Sequence, residues 1–114
     1  MTEIQLRAFY GYLISAEARA QLTAKTYLNT LRLFQQQLGE ERLIEDASQD
    51  DCIGFLLARA AEGVTGRTLA KDQAALRSFY RFLQLENVRT DNPAEQLESP
   101  RREKNLPRAL EPDE

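Results

Sequence analysis

The feature that most restricts the fold is the stretch over residues 64–85, VTGRTLAKDQAALRSFYRFLQL. Wound at 3.6 residues per turn, it divides into two faces. Leu69, Leu76, Phe79, Tyr80 and Leu83 gather on one side. Arg67, Lys71, Ala74, Ser78 and Arg81 fall on the other, at spacings of four, three, four and three, with Arg77 beside them. The first face needs a packed partner. The second is basic at both ends and small in the middle, so it suits close approach to a grooved surface with Arg and Lys reaching phosphates. The competing reading is a solvated face on a core helix.

The rest of the chain supplies helical partners and no strand-like alternation or repeats. Residues 4–15 place Leu6, Phe9, Tyr10 and Leu13 on one stripe, with Gly11 weakening the helix by about 1 kcal/mol relative to Ala or marking a close contact. Thr23 is read as an N-cap, with Leu22 and Tyr27 as a hydrophobic staple, opening a helix that stops at Gly39. Its stripe is Tyr27, Leu31, Phe34 and Leu38; opposite lie Lys25, Asn29, Arg32 and Gln36, again at four, three and four. Amide and basic groups interleaved in this way suit base edges as well as phosphates. Ser48 and Asp51 form a capping-box-like start to a third helix ending at Gly63, with Ile53, Leu56, Leu57 and Ala60 expected inward. Thr65 caps the opening stretch, and Asn92-Pro93 sets a short turn of helix over 93–98. The expected fold is all-α, with helices near 4–16, 24–38, 49–62 and 66–85, one domain over 1–98, and a proline-bearing linker or tail over 99–114.

A net charge of −3 argues against nucleic-acid binding until it is taken by segment. Residues 19–39 and 64–90 each carry +3, whereas 40–63 carry −5, so the asymmetry that decides a binding face is local. No run approaches the ~20 apolar residues of a membrane span, and no signal-peptide pattern opens the chain. The single cysteine, Cys52, excludes an internal disulfide and fits a reducing, cytoplasmic compartment; it is expected to be partly buried packing. There is no histidine, no metal-ligand spacing and no phosphate-cradling glycine loop, so neither cofactor nor small-molecule substrate is expected.

LTAKTYLNTLRLF in the second helix, VTGRTLAKDQAALRSFYRFL in the fourth and DNPAEQLESPRREKNLPRAL at the end together resemble the N-terminal, core-binding domain of tyrosine recombinases of the Xer and phage-integrase type. The resemblance implies a four- to five-helix SAM-like bundle whose second and fourth helices cross at the major groove of a double-stranded recombination half-site. With a catalytic domain, such a domain closes a C-shaped clamp round the duplex. Carried over by position, it implies contacts from Thr26, Asn29 and Arg32 and from Arg67, Thr68 and Lys71. Periodicity selects Asn29, Arg32, Arg67 and Lys71 independently, and adds Lys25, Gln36, Arg77, Ser78 and Arg81. The family's catalytic Arg, Lys, His and Tyr set has no match here, so the chain is expected to be a non-catalytic piece of a longer recombinase that works with other recombinase subunits. The alternative is a SAM-like protein-interaction module whose basic faces meet an acidic partner.

Overall fold

In the computed structural model, which describes residues 2–97, four helices pack round one apolar core: α1 Thr2–Ser15, α2 Gln21–Leu38, α3 Gln49–Ala61 and α4 Gly66–Leu85. A 3-10 turn at Ile44–Asp46 bridges α2 and α3. No strand occurs among the described residues. The all-α expectation holds, with each long helix within a few residues of its expected bounds. The division at residue 98 and the linker over 99–114 lie outside the described residues.

Helix α4 is central because its apolar stripe is the widest, and Leu69, Leu76, Phe79, Tyr80 and Leu83 are all buried. Phe9 of α1 meets Phe79 edge-on with centroids 5.4 Å apart and Phe82 at 5.7 Å. Phe34 of α2 lies 4.9 Å from Phe55 of α3. Such aromatic pairs add about 0.5–1.5 kcal/mol each beyond the area they bury. The Tyr80 hydroxyl donates to the Ile44 carbonyl at 2.5 Å, fastening the 3-10 turn onto α4. Arg89 stacks over the Tyr80 ring and donates to the carbonyls of Glu45 and Ala47, closing the same corner.

The caps of α3 and α4 follow the sequence. Ser48 and Asp51 form a reciprocal capping box, and Thr65 Oγ1 accepts from the Thr68 N–H at 3.1 Å. Gly39 and Gly63 follow α2 and α3 with positive φ, 92° and 88°, which glycine adopts without the Cβ clash.

Five local expectations are corrected. Helix α2 begins at Gln21 with Ala20 as an N-cap that makes no side-chain bond, so Thr23 lies inside its first turn. Leu22 is 76 % exposed and cannot staple the buried Tyr27. On α3 the inward residues are Cys52, Phe55 and Leu56, while Ile53 and Leu57 face out, a rotation set by the Phe34–Phe55 contact and the burial of Cys52. Gly11 has open space where a Cβ would be, so it marks no close helix contact. Over 93–96 the chain makes turns and not a helix, yet Ala94 and Leu97 are buried.

Candidate nucleic-acid interface

The two candidate helices meet at a buried carboxylate. Asp72 sits on the inward stripe of α4, three residues after Leu69 and four before Leu76, and is fully buried. One oxygen accepts from the Thr30 hydroxyl of α2 at 2.8 Å. The other accepts from Nε of Arg59 on α3 at 2.8 Å. Thr30 is itself buried, and the Arg59 side chain is only 16 % exposed, so three helices share one polar joint inside an apolar bundle. A buried charge is tolerated only when it is paired and hydrogen-bonded, and both Asp72 oxygens are satisfied.

This joint sets the neighbours of the exposed polar groups. Lys71, the residue before Asp72, holds its ammonium 3.8 Å from the carboxylate oxygen that Thr30 also contacts. Asn29, the residue before Thr30, is exposed on α2. Each of these residues thus adjoins a member of the joint in its own helix. Arg67 is exposed one turn before Lys71, and Thr68 is half-buried beside the Thr65 cap, their hydroxyls 3.2 Å apart.

On α2, Lys25 and Gln36 are exposed. Thr26 is half-buried and turns its hydroxyl back to the Leu22 carbonyl at 2.8 Å. Arg32 reaches Glu3 of α1 at 3.3 and 3.4 Å, an exposed pair of the kind worth about 0–1 kcal/mol and easily exchanged for another anion.

The second half of the α4 face is drawn into the bundle. Ser78 is buried at 5 % exposure, so its hydroxyl lies away from the surface. Arg77 donates to the carbonyls of Glu95 and Leu97 and so holds the segment that covers this side of α4. Arg81 remains exposed. Of the eleven sequence-selected residues, the structure leaves Lys25, Asn29, Arg32, Gln36, Arg67 and Arg81 exposed, with Thr26, Thr68 and Lys71 at the rim.

Asp51, in the acidic stretch over 40–51, has its own attachment. Arg42 pairs with Asp51, and this guanidinium, helped by the Ser48 backbone N–H, holds the Asp51 carboxyl below the usual carboxylate range. Asp51 stands in the first turn of α3 and Arg59 in the last, about 12 Å apart along the axis. Asp50 and Asp51 thus sit at the far end of α3 from Arg59.

Sequence reading missed Thr30, Arg59 and Asp72. The signal was present: each polar residue occupies the inward stripe of its own helix, Thr30 between Tyr27 and Phe34, Arg59 four after Phe55, and Asp72 between Leu69 and Leu76. Among the described residues no cluster of His, Cys, Asp and Glu could hold a metal ion, and no helix is long and apolar enough to cross a membrane.

Comparison with known sequences gives matches over most of the chain. The profile of the phage integrase N-terminal SAM-like domain matches residues 6–87. The chain is 31 % identical over 107 residues to tyrosine recombinase XerC of Bacillus subtilis (strain 168), covering 92 % of this chain and 35 % of that protein. It is 34 % identical over 90 residues to tyrosine recombinase XerD of Rhizobium meliloti (strain 1021), covering 72 % and 29 %. A third relative, XerC of Roseiflexus castenholzii (strain DSM 13941 / HLO8), is 31 % identical over 110 residues, covering 95 % and 35 %. The chain spans about a third of the length of these curated relatives. No solved structure gives a significant match.

Proposed function

The chain belongs to the family of phage-integrase N-terminal SAM-like domains, and on that premise we propose that it is the DNA-gripping domain of a site-specific tyrosine recombinase of the Xer type. In this reading α2 and α4 lie against the major groove of a recombination half-site. Lys25, Arg67, Lys71 and Arg81 hold phosphates; Asn29, with Arg32 and Gln36 beside it, reads base edges; Thr26 and Thr68 make shorter contacts at the rim. Strand cleavage and exchange belong to a separate catalytic domain, and recombinase subunits assemble on paired half-sites in the cytoplasm. Within this chain the tyrosines are occupied otherwise: Tyr27 and Tyr80 are core residues, and the half-buried Tyr12 donates to Glu17 at 2.8 Å.

The observation that supports the reading most is the Thr30–Asp72 bond. It joins α2, whose residues 21–38 hold no acid, to the helix that carries Arg67 and Lys71, so the two basic segments belong to directly bonded helices in a chain whose net charge is −3. An acidic total keeps non-specific affinity low and leaves discrimination to the two helices.

Fluorescence anisotropy on duplex DNA across a salt series tests it. Binding of this chain alone should be weak and should fall with salt at a log–log slope of about −0.9 per phosphate contacted. Arg67→Ala and Lys71→Ala should weaken binding to all duplexes alike and flatten the slope by about one unit each. Asn29→Ala should remove about 1–3 kcal/mol of preference for the favoured sequence and leave the slope in place. Salt-independent binding, or none that responds to Arg67→Ala, returns the basic faces to the protein-interaction reading.

A further inference from the structure

The Thr30–Asp72 bond has properties that apolar packing lacks. Both side chains are buried, at 1 % and 0 % exposure, and the bond joins α2 to α4 directly. Apolar contacts between helices are non-directional and tolerate small slides and rotations. A hydrogen bond between buried side chains fixes distance and angle and is strengthened by its low-dielectric surroundings. Arg59 holds the other carboxylate oxygen from α3, so Asp72 cannot swing to follow a moving α2. The residues on either side of this bond in the chain, Asn29 and Lys71, are the ones that would face a duplex.

We infer that Thr30 and Asp72 are positioning residues for sequence discrimination: their bond fixes how α2 crosses α4, and so where the Asn29 amide stands when Lys71 is seated on the phosphate backbone. Neither residue touches the duplex. Base readout demands placement to a few tenths of an ångström, because a hydrogen bond weakens steeply with angle, whereas a phosphate contact through a flexible lysine does not. Loosening the joint therefore erodes preference before affinity. The inference rests on the DNA-grip reading.

The test uses the 114-residue chain and a duplex library with a randomised central segment, selected at low salt. The wild-type chain should enrich a sequence motif. Affinities of each variant are then compared on the enriched duplex and on a scrambled one. Thr30→Val keeps the shape of the side chain, the charge of Asp72 and the Arg59 pair, and removes only the hydroxyl. It should lower the preference for the enriched duplex by about tenfold, equivalent to one good base-edge contact, while affinity for the scrambled duplex stays within about twofold because every phosphate contact is retained. Thr30→Ser restores a donor and should recover the preference. Leu13→Ala, which opens a cavity in α1 away from the joint, should destabilise the bundle and leave the preference standing. Three results overturn the inference and spare the DNA-grip reading: undiminished preference in Thr30→Val, parallel falls on both duplexes, or an equal loss in Leu13→Ala. A wild-type chain that enriches no motif overturns the DNA-grip reading itself, and this inference with it.

Discussion

Helices α2 and α4 carry the same written spacing, a partly basic face at intervals of four, three and four opposite an apolar stripe, and they meet different fates. Six residues of α2 are buried out of 18, and ten of α4 out of 20, so α4 surrenders part of its polar face to the interior. Its neighbours are α1, α2, α3 and the segment over 92–97. Ser78 is buried, Arg77 turns to the carbonyls of 95 and 97, and Asp72 becomes a fully buried charge. On α2 the same spacings reach solvent almost intact. A polar face read from periodicity is thus a list of candidates, and the number of elements packed on the helix decides how many stay available.

The largest expected effect tests whether α4's inward polar group is structural while α2's outward one is not. Asp72→Ala leaves the Arg59 guanidinium without its buried partner and the Thr30 hydroxyl without its acceptor. It should lower stability by about 3 kcal/mol in urea unfolding, toward the lower end for a broken buried pair because Arg59 keeps some solvent contact. Asn29→Ala should change stability by less than about 0.5 kcal/mol. Equal costs at the two positions would break the contrast.

A second test uses pH on the buried corner of α4. Burial, with the nearby Asp51 carboxylate adding to it, pushes the Cys52 thiol from 9.0 up to about 12. Burial also pushes the Tyr80 phenol well above its ordinary 10.0. Both groups are neutral when protonated, and the folded chain keeps protons that the unfolded chain releases. Their contribution is therefore full below pH 9.0 and declines as pH rises above the unfolded values, by about 1.4 kcal/mol per pH unit for each group that ionises only on unfolding. Tyr80→Phe should cost about 1–2 kcal/mol at neutral pH through the lost bond to Ile44, and should make the alkaline decline shallower. A decline as steep as wild type would show that Tyr80 is not its source.

The smallest effect sharpens the comparison within α4 alone. Arg77→Ala should cost about 1 kcal/mol of stability, since it frees the Glu95 carbonyl and removes one of two donors to the Leu97 carbonyl, and should leave the salt slope of DNA binding unchanged. Arg81→Ala should do the reverse, flattening the slope by about one unit with stability within about 0.5 kcal/mol.

Much of this was legible in the chain. The four helices, the Ser48–Asp51 and Thr65 caps and the glycine stops were written in local chemistry, which needs no neighbours to act. The misreadings were tertiary. Two adjacent apolar stripes on α3 were both plausible, and only contact with Phe34 selects Phe55 and Leu56 over Ile53 and Leu57. Thr23 carries the chemistry of a cap, but the chain enters α2 in helical conformation before reaching it. Asp72 reads as a blemish on an apolar stripe until Thr30 and Arg59, 42 and 13 residues away, arrive to satisfy it. The exposed candidates Lys25, Asn29, Arg67 and Arg81 were found because surface periodicity survives folding; Ser78 was misplaced because its burial leaves no mark in its own helix.

The fastening at Leu97 bears on how the domain carries force. Its carbonyl accepts from both Gln73 and Arg77, and the Asn92 side chain grips the Arg77 carbonyl at 3.3 Å. A pull on Leu97 is therefore delivered to the middle of α4 as well as to its end at Leu85. Loaded that way, the bonds at 73, 77 and 92 resist together in shear, where a helix pulled from its end would unravel one turn at a time. Arg77, turned back onto the segment over 95–97, thereby becomes the cleat that ties this segment to the helix carrying Arg67 and Lys71.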